Sequence, residues 1–198
     1  MQKLLLRFKI SKRRLLYLAF GIAAFLISYS AGAAVPLSDE EAKQIREEFA
    51  DQIEGIDQYG IFLNNARIAL AMFIPGLGAG FGSLVGFITG SVFAALAISQ
   101  PVLSGVPPLI ILITPFGIME VFSYGLAMSR SGMLIYRVAK DKPWRKENRR
   151  PFLENSLIPT LIELGIVAVV LFVAAIIEWQ LIEQYGGLDD LDVIIEPV

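Results

Sequence analysis

From Ile68 to Gln100 the chain carries no charged side chain. About 20 apolar residues suffice for one helix to cross the hydrocarbon core of a membrane. This run exceeds that length and can hold two crossings. Three more apolar blocks accompany it. Leu15 to Val35 is free of charge. Val102 to Met119 is too, and the run resumes after Glu120 as far as Met128. Leu164 to Ile177 is extended by Leu157 to Ile162 before it and Trp179 to Ile182 after it. Hydrophobic residues reach 55% and charged ones only 18%, against about 45–50% and about 25% in an ordinary soluble domain. The apolar excess is collected into blocks, so the expectation is an all-α membrane protein. The chain has no cysteine and no histidine. Thiol nucleophiles, disulfides, zinc–thiolate and iron–sulfur sites, imidazole bases and histidine metal sites are therefore excluded. No catalytic residue, metal or cofactor is expected.

The polar segments between the blocks are sorted by sign. Residues 1–14 carry six basic side chains and no acid. Residues 36–60 carry eight acids against Lys43 and Arg46. Residues 137–151 carry seven bases against Asp141 and Glu147, and the tail 183–198 carries five acids and no base. Lys and Arg near membrane ends mark the cytoplasmic side. The N-terminus and loop 137–151 then lie inside, and loop 36–60 and the C-terminus outside. The number of crossings between Gly60 and Arg137 must be odd, and three fit the apolar length. The expected spans are 15–35, 61–82, 83–100, 106–130 and 157–182, which describes a multi-pass protein of the cell membrane. A turn around Gly76 to Gly86 joins the second and third spans without any charge. Such a turn is expected to be buried in protein, where irregular backbone at membrane depth is tolerated. The first block also resembles a secretory signal, with Ala31-Gly32-Ala33 as a small-residue cleavage site. Its length favours an uncleaved anchor.

The outer loop should contain its own helix. Ser38 with Glu41 makes a capping box. Ala42, Ile45, Phe49 and Ile53 form an apolar stripe at helical spacing, and Gly55 is a plausible stop. The stripe fits a helix lying on the protein's own outer surface, and a docking site for a partner is the alternative.

Within the spans, Gly78, Gly82, Gly86 and Gly90 recur every four residues. That spacing lets a neighbouring helix backbone approach closely. Thr114-Pro115-Phe116-Gly117 should break or kink the fourth span at Pro115 and Gly117. Glu120 follows one turn later, where an unpaired carboxylate is costly. Asn64, Asn65 and Arg67 enter the second span, and Glu178 lies at similar depth in the last. Arg67 is the expected ion-pair partner of Glu120 or Glu178. Structural pairing between helices is the first reading of these groups, and a proton or ion pathway the second. Arg130 and Glu163 sit near the inner interface, where snorkelling relieves most of the cost. The basic loop with Trp144 suits anionic lipid headgroups; nucleic acid is not an expected partner, because the loop abuts two spans.

These residues, in this order, resemble the stage II sporulation protein M family across residues 60–182. The resemblance rests on Ile61-Phe62-Leu63-Asn64-Asn65-Ala66-Arg67, the glycine-rich turn, Thr114-Pro115-Phe116-Gly117-Ile118-Met119-Glu120, and Ala174-Ala175-Ile176-Ile177-Glu178. The family pattern has Pro-His-Gly before the Glu, whereas this chain has Phe116 at the His position. It also has Thr89-Gly90 where Asn-Gly is frequent. The name-giving member belongs to a membrane complex with a peptidoglycan hydrolase and another membrane protein, which drives engulfment in spore formers. The resemblance implies a membrane-embedded scaffold or subunit, with other membrane proteins or further copies of itself as partners. The alternative from the residues is a small oligomeric transporter or channel using Glu120 and Arg67.

Overall fold

A computed structural model describes residues 11–53, 55–99 and 106–184 of the chain. Most of the basic N-terminus and of the acidic tail lie outside the described residues. The described elements are all helical: α1 (Lys12–Ala33), α2 (Asp39–Ile53), α3 (Gln58–Met72), α4 (Gly78–Ser99), a 3-10 segment (Pro108–Ile113), α5 (Pro115–Asp141), α6 (Lys146–Phe152), a π-turn (Leu153–Leu157) and α7 (Ile158–Gln184). Three stretches are long and apolar enough to cross a membrane: Lys12–Ala33, Gly78–Ser99 and Lys146–Gln184. Large apolar side chains on their outer faces stay uncovered. Phe20, Ile27, Leu161 and Val169 are each 64–69% exposed, as lipid-facing residues would be.

The helices alternate in direction. Gly86 meets Phe25 and Gly90 meets Tyr29, so α4 runs parallel to α1. Gly21 meets Gly125 and Arg14 meets Ser129, so α5 runs antiparallel to α1. The core lies where α1, α3, α4, α5 and α7 converge, around Phe25, Tyr29, Met72, Tyr124, Met128, Val167 and Leu171. The glycine row on α4 is buried, and its members serve two neighbours. Gly78 and Gly82 lie against Ser131 and Met128 of α5, and Gly86 and Gly90 against α1.

The boundaries differ from the sequence expectation in two places. The turn between the second and third spans is Phe73 to Leu77, and α4 already begins at Gly78. Its side chains at 74–77 are exposed rather than buried. A side chain of α5 braces its backbone. The Ser131 hydroxyl accepts from the N–H groups of Gly76 (3.1 Å) and Gly78 (3.2 Å) and donates to the Ile74 carbonyl (2.6 Å). Gly76, at φ +87°, takes the left-handed conformation that closes the turn. Ser131→Ala leaves the Gly76 N–H without its partner and takes one bond each from the Gly78 N–H and the Ile74 carbonyl, which also bond each other (3.2 Å). It should destabilise the fold by about 1–3 kcal/mol, and should speed amide exchange at Gly76 more than at Gly78, which keeps its bond to the Ile74 carbonyl.

The second difference concerns the fourth span. It is not one kinked helix over 106–130. Pro115 occupies the first position of α5, where its missing N–H costs nothing. Thr114 caps the helix, accepting from Gly117 N–H (3.1 Å) and donating to the Ile111 carbonyl (2.6 Å). The helix then continues through Arg130 to Asp141, into the loop expected from 137. Lys142 ends it in the left-handed region at φ 46°. A π-turn precedes α7 because Pro159 has no N–H to bond the Asn155 carbonyl; the Ile158 N–H reaches Leu153 instead.

Helix α2 packs on α4. Its Ala42 is fully buried, and its acidic residues Glu40, Glu41, Glu47, Glu48 and Asp51 point outward. Gly55 follows at φ +65°. The capping box is formed. The Ser38 N–H (2.9 Å) and hydroxyl (2.8 Å) both donate to the Glu41 carboxylate, and the Glu41 N–H donates to the Ser38 hydroxyl (3.3 Å). These bonds to the ionised form, backbone first and side chain second, hold the Glu41 carboxyl below its ordinary value of 4.5. A lowered folded value contributes stability above pH 4.5 that is lost as pH falls through the folded value. Acidification should therefore fray α2 from its N-terminus. Protection of the amides at the start of α2 should fall as pH drops below 4.5, and Glu41→Gln should flatten that dependence.

Candidate functional site

Two polar clusters lie inside the helix bundle, one at each end. The inner one, named for the end of the bundle where α1 and α7 begin, joins α1, α5 and α7. Glu163, on the first turns of α7, is clamped by two guanidinium groups. Arg14 donates from Nε to Oε1 (2.8 Å) and from Nη2 to Oε2 (2.6 Å). Arg130 donates from Nε to Oε2 (2.8 Å) and from Nη2 to Oε1. Planar forks of this kind match a carboxylate bidentately and fix its orientation. The Arg14 Nη1 donates to Ser129 Oγ (2.8 Å), whose own proton goes to the Leu126 carbonyl (2.8 Å), which also accepts from Arg14 Nη2 (3.3 Å). All three charged side chains are largely buried, at 11%, 7% and 6% exposure for Arg14, Arg130 and Glu163. The cluster carries one net positive charge and ties three helices at one level.

This is the main departure from the sequence reading, which had Arg130 and Glu163 snorkelling apart. Neither reaches for the interface, because each finds its counter-charge inside the bundle. Arg14 was legible only as one member of the basic N-terminal block. The available signal was the isolation of Glu163 within Leu161-Ile162-Glu163-Leu164 and of Arg130 within α5. An isolated charge in an apolar helix asks for a partner.

The outer cluster contains the residues expected from the sequence, differently connected. Asn65 of α3 donates from Nδ2 to Glu120 Oε1 of α5 at 2.5 Å. Glu178 lies toward the C-terminal end of α7. Its Oε2 is buried without a hydrogen-bond partner. Arg67 does not join them. It is exposed on α3, and no ion pair involves it among the described residues. Two residues after Asn65, it lies about 200° around the helix, so the helix face that delivers Asn65 to Glu120 turns Arg67 away. Asn64 is exposed too. Tyr29 closes this end of the bundle, its hydroxyl donating to the Pro108 carbonyl at 2.7 Å. Tyr59 and Phe62 of α3 stack against Phe172 of α7, the second edge-on at 5.4 Å.

Chemically, the inner cluster is fully paired and acts as a clasp. The other one holds the Glu120 carboxylate against a neutral donor between α3 and α5. No group of three or more acidic, histidine or cysteine side chains suited to a metal occurs among the described residues.

Comparison with known proteins bears on the whole bundle. No curated protein and no solved structure matches the chain. The family model described as stage II sporulation protein M matches residues 15–179, from the first turn of α1 to near the C-terminal end of α7, and so takes in every member of both polar clusters except Arg14. The chain thus belongs to the stage II sporulation protein M family of membrane proteins.

Proposed function

We propose that this protein is a non-enzymatic, multi-pass scaffold or subunit of a membrane complex at the cell envelope. Its helices would make five crossings, with the N-terminus inside and the C-terminus outside. The observation that carries the reading is the Arg14–Glu163–Arg130 clasp. It spends the most deeply paired charges on holding α1, α5 and α7 in fixed relation, which is what a docking platform needs. The alternating helix directions support five crossings. α1, α4 and α7 would run outward, and α3 and α5 inward. The clasp and the Ser131-pinned turn then share the inner end, beside the basic loop. The exposed acidic face of α2 would meet partners outside.

Single cysteines at Ser38, Asn148 and Asp190 test the topology, since the chain supplies no thiol of its own. Positions 38 and 190 should react with an impermeant reagent in intact cells. Labelling of position 148 would overturn the orientation. The scaffold reading predicts that defined membrane proteins, or further copies of the chain, co-purify from native membranes. Charge reversal along Glu40, Glu47 and Glu48 should weaken that recovery.

Glu120, held by a neutral amide alone, and the buried, unpartnered Glu178 Oε2 favour a second reading, a small oligomeric transporter. It predicts that Glu120→Gln alters ion or solute flux in proteoliposomes. Unchanged flux alongside altered partner recovery would decide for the scaffold.

A further inference from the structure

Helix α2 has two bases, Lys43 and Arg46, among six acids between Asp39 and Asp51. Both bases line one cavity of about 230 Å³, together with Asp39 and, from α4, Ile98 and Ser99. Residues 39, 43 and 46 are spaced four and three apart, so they share a face of α2, next to the buried Ala42 where the helix meets α4. The charges of the cavity wall are not spent on each other. Among the described residues no ion pair joins Asp39 to Lys43 or Arg46, and Arg46 makes none at all. Lys43 reaches Glu47 at 3.8 Å with both side chains more than half exposed, where an ion pair is worth little. Ser99 donates its hydroxyl proton to the Ala95 carbonyl (2.8 Å), so its oxygen is left as an acceptor. Ile98 is exposed and gives the cavity an apolar side. The level of the cavity follows from α4, whose 22 residues are apolar enough to cross a membrane. At roughly 1.5 Å per residue they span about 33 Å, close to the roughly 30 Å of the hydrocarbon core. Ser99 is the last of them, so the cavity stands where lipid headgroups begin.

We propose that this cavity binds the headgroup of an aminophospholipid. Lys43 and Arg46 hold the phosphate, the Arg as a planar fork and the Lys as a point charge. Asp39 and the Ser99 oxygen accept from the headgroup ammonium, and Ile98 lies along the first carbons of the lipid. The acid selects the headgroup. A choline ammonium has no N–H to give Asp39, and a glycerol headgroup brings it no positive charge. Soluble phosphoethanolamine carries the same two charges, but the apolar side at Ile98 and the level of Ser99 favour the lipid. The inference rests on α4 crossing the bilayer, and on neither the proposed orientation nor the scaffold role.

The test titrates the full chain, delipidated in a mild detergent, with phosphatidylethanolamine, phosphatidylglycerol and phosphatidylcholine of one acyl composition. Native mass spectrometry counts the bound lipid. Phosphatidylethanolamine should bind most tightly of the three. Lys43→Gln combined with Arg46→Gln should weaken it about tenfold. Asp39→Asn should abolish the preference for phosphatidylethanolamine over phosphatidylglycerol while keeping the binding of the second. The basic loop 137–151, which also suits lipid headgroups, is the same in every variant, so the difference from wild type reports on this cavity alone. Unchanged helicity separates a lost site from a lost fold. Should a variant unfold, the ranking of the three lipids by the wild-type chain still decides, and equal binding overturns the proposal. Undiminished phosphatidylethanolamine binding by the double variant overturns it too, as does an unchanged preference after Asp39→Asn. Inorganic phosphate or phosphoethanolamine binding through Lys43 and Arg46 without any lipid doing so would make this a site for a soluble anion, and would also overturn it. Cysteine labelling at positions 38 and 148 reads the topology independently, so its failure and that of the lipid site are told apart.

Discussion

Glu163→Gln should be among the most damaging single substitutions in the protein. It leaves Arg14 and Arg130 buried, facing each other, with no carboxylate between them. Removing one partner of a buried ion pair costs about 3–5 kcal/mol, and here two guanidiniums lose their counter-charge together. Losing one arginine is a different matter. Arg14→Met leaves a neutral Arg130–Glu163 pair, and it leaves Ser129 bonded to Leu126. Arg130→Met leaves the bidentate Arg14–Glu163 pair. Each should cost clearly less than Glu163→Gln, an order that simple counting of lost hydrogen bonds would not give. Replacing all three by Met, Met and Leu removes the stranded charges altogether, so most of the lost stability should return. Unfolding midpoints of the purified variants in one detergent would establish the order. A Glu163→Gln midpoint equal to that of the wild type would mean that the clasp does not hold the bundle.

The clasp also marks the limit of what the sequence disclosed. Sorted charge blocks are a linear property, so the apolar blocks and the capping box at Ser38 could be read without a fold. The family could be read too, because its motifs are local. Arg14, Arg130 and Glu163 are separated by 116 and 33 positions, and only the packing of three helices brings them together. Each taken alone satisfies the rule for a snorkelling end charge. Arg67 meets neither carboxylate for a related reason: spacing along a helix gives level, but azimuth decides contact. Asn65 and Arg67 share a level of α3 and not a face. The turn at Gly76 was misplaced because glycine marks turns and close helix contacts alike. The hydroxyl that separates the two uses, Ser131, lies more than fifty residues away.

The same ambiguity makes the glycines of α4 a sharp test. At Gly90 an added Cβ would overlap the Tyr29 carbonyl oxygen and crowd the Ala33 nitrogen at 2.9 Å. Those are backbone atoms of α1 and cannot swing aside, so the two helices must part along their whole contact. Gly90→Ala should cost about 1–3 kcal/mol, and larger residues more. Gly32→Ala, on the facing side and against the Phe87 carbonyl, should behave alike. At Gly82 the obstacle is the Met128 side chain, with Sδ at 2.5 Å. A thioether on three rotatable bonds can repack, so the penalty should be smaller. Gly80 has nothing within 4 Å of an added Cβ. There Ala should be neutral or stabilising by up to about 1 kcal/mol, since it is the better helix former. Four alanine variants measured side by side thus separate contact with backbone, contact with a pliable side chain, and no contact. If Gly80→Ala proved as harmful as Gly90→Ala, a second copy of the chain or another partner would have to cover the Gly80 face, and the same comparison would locate an interface.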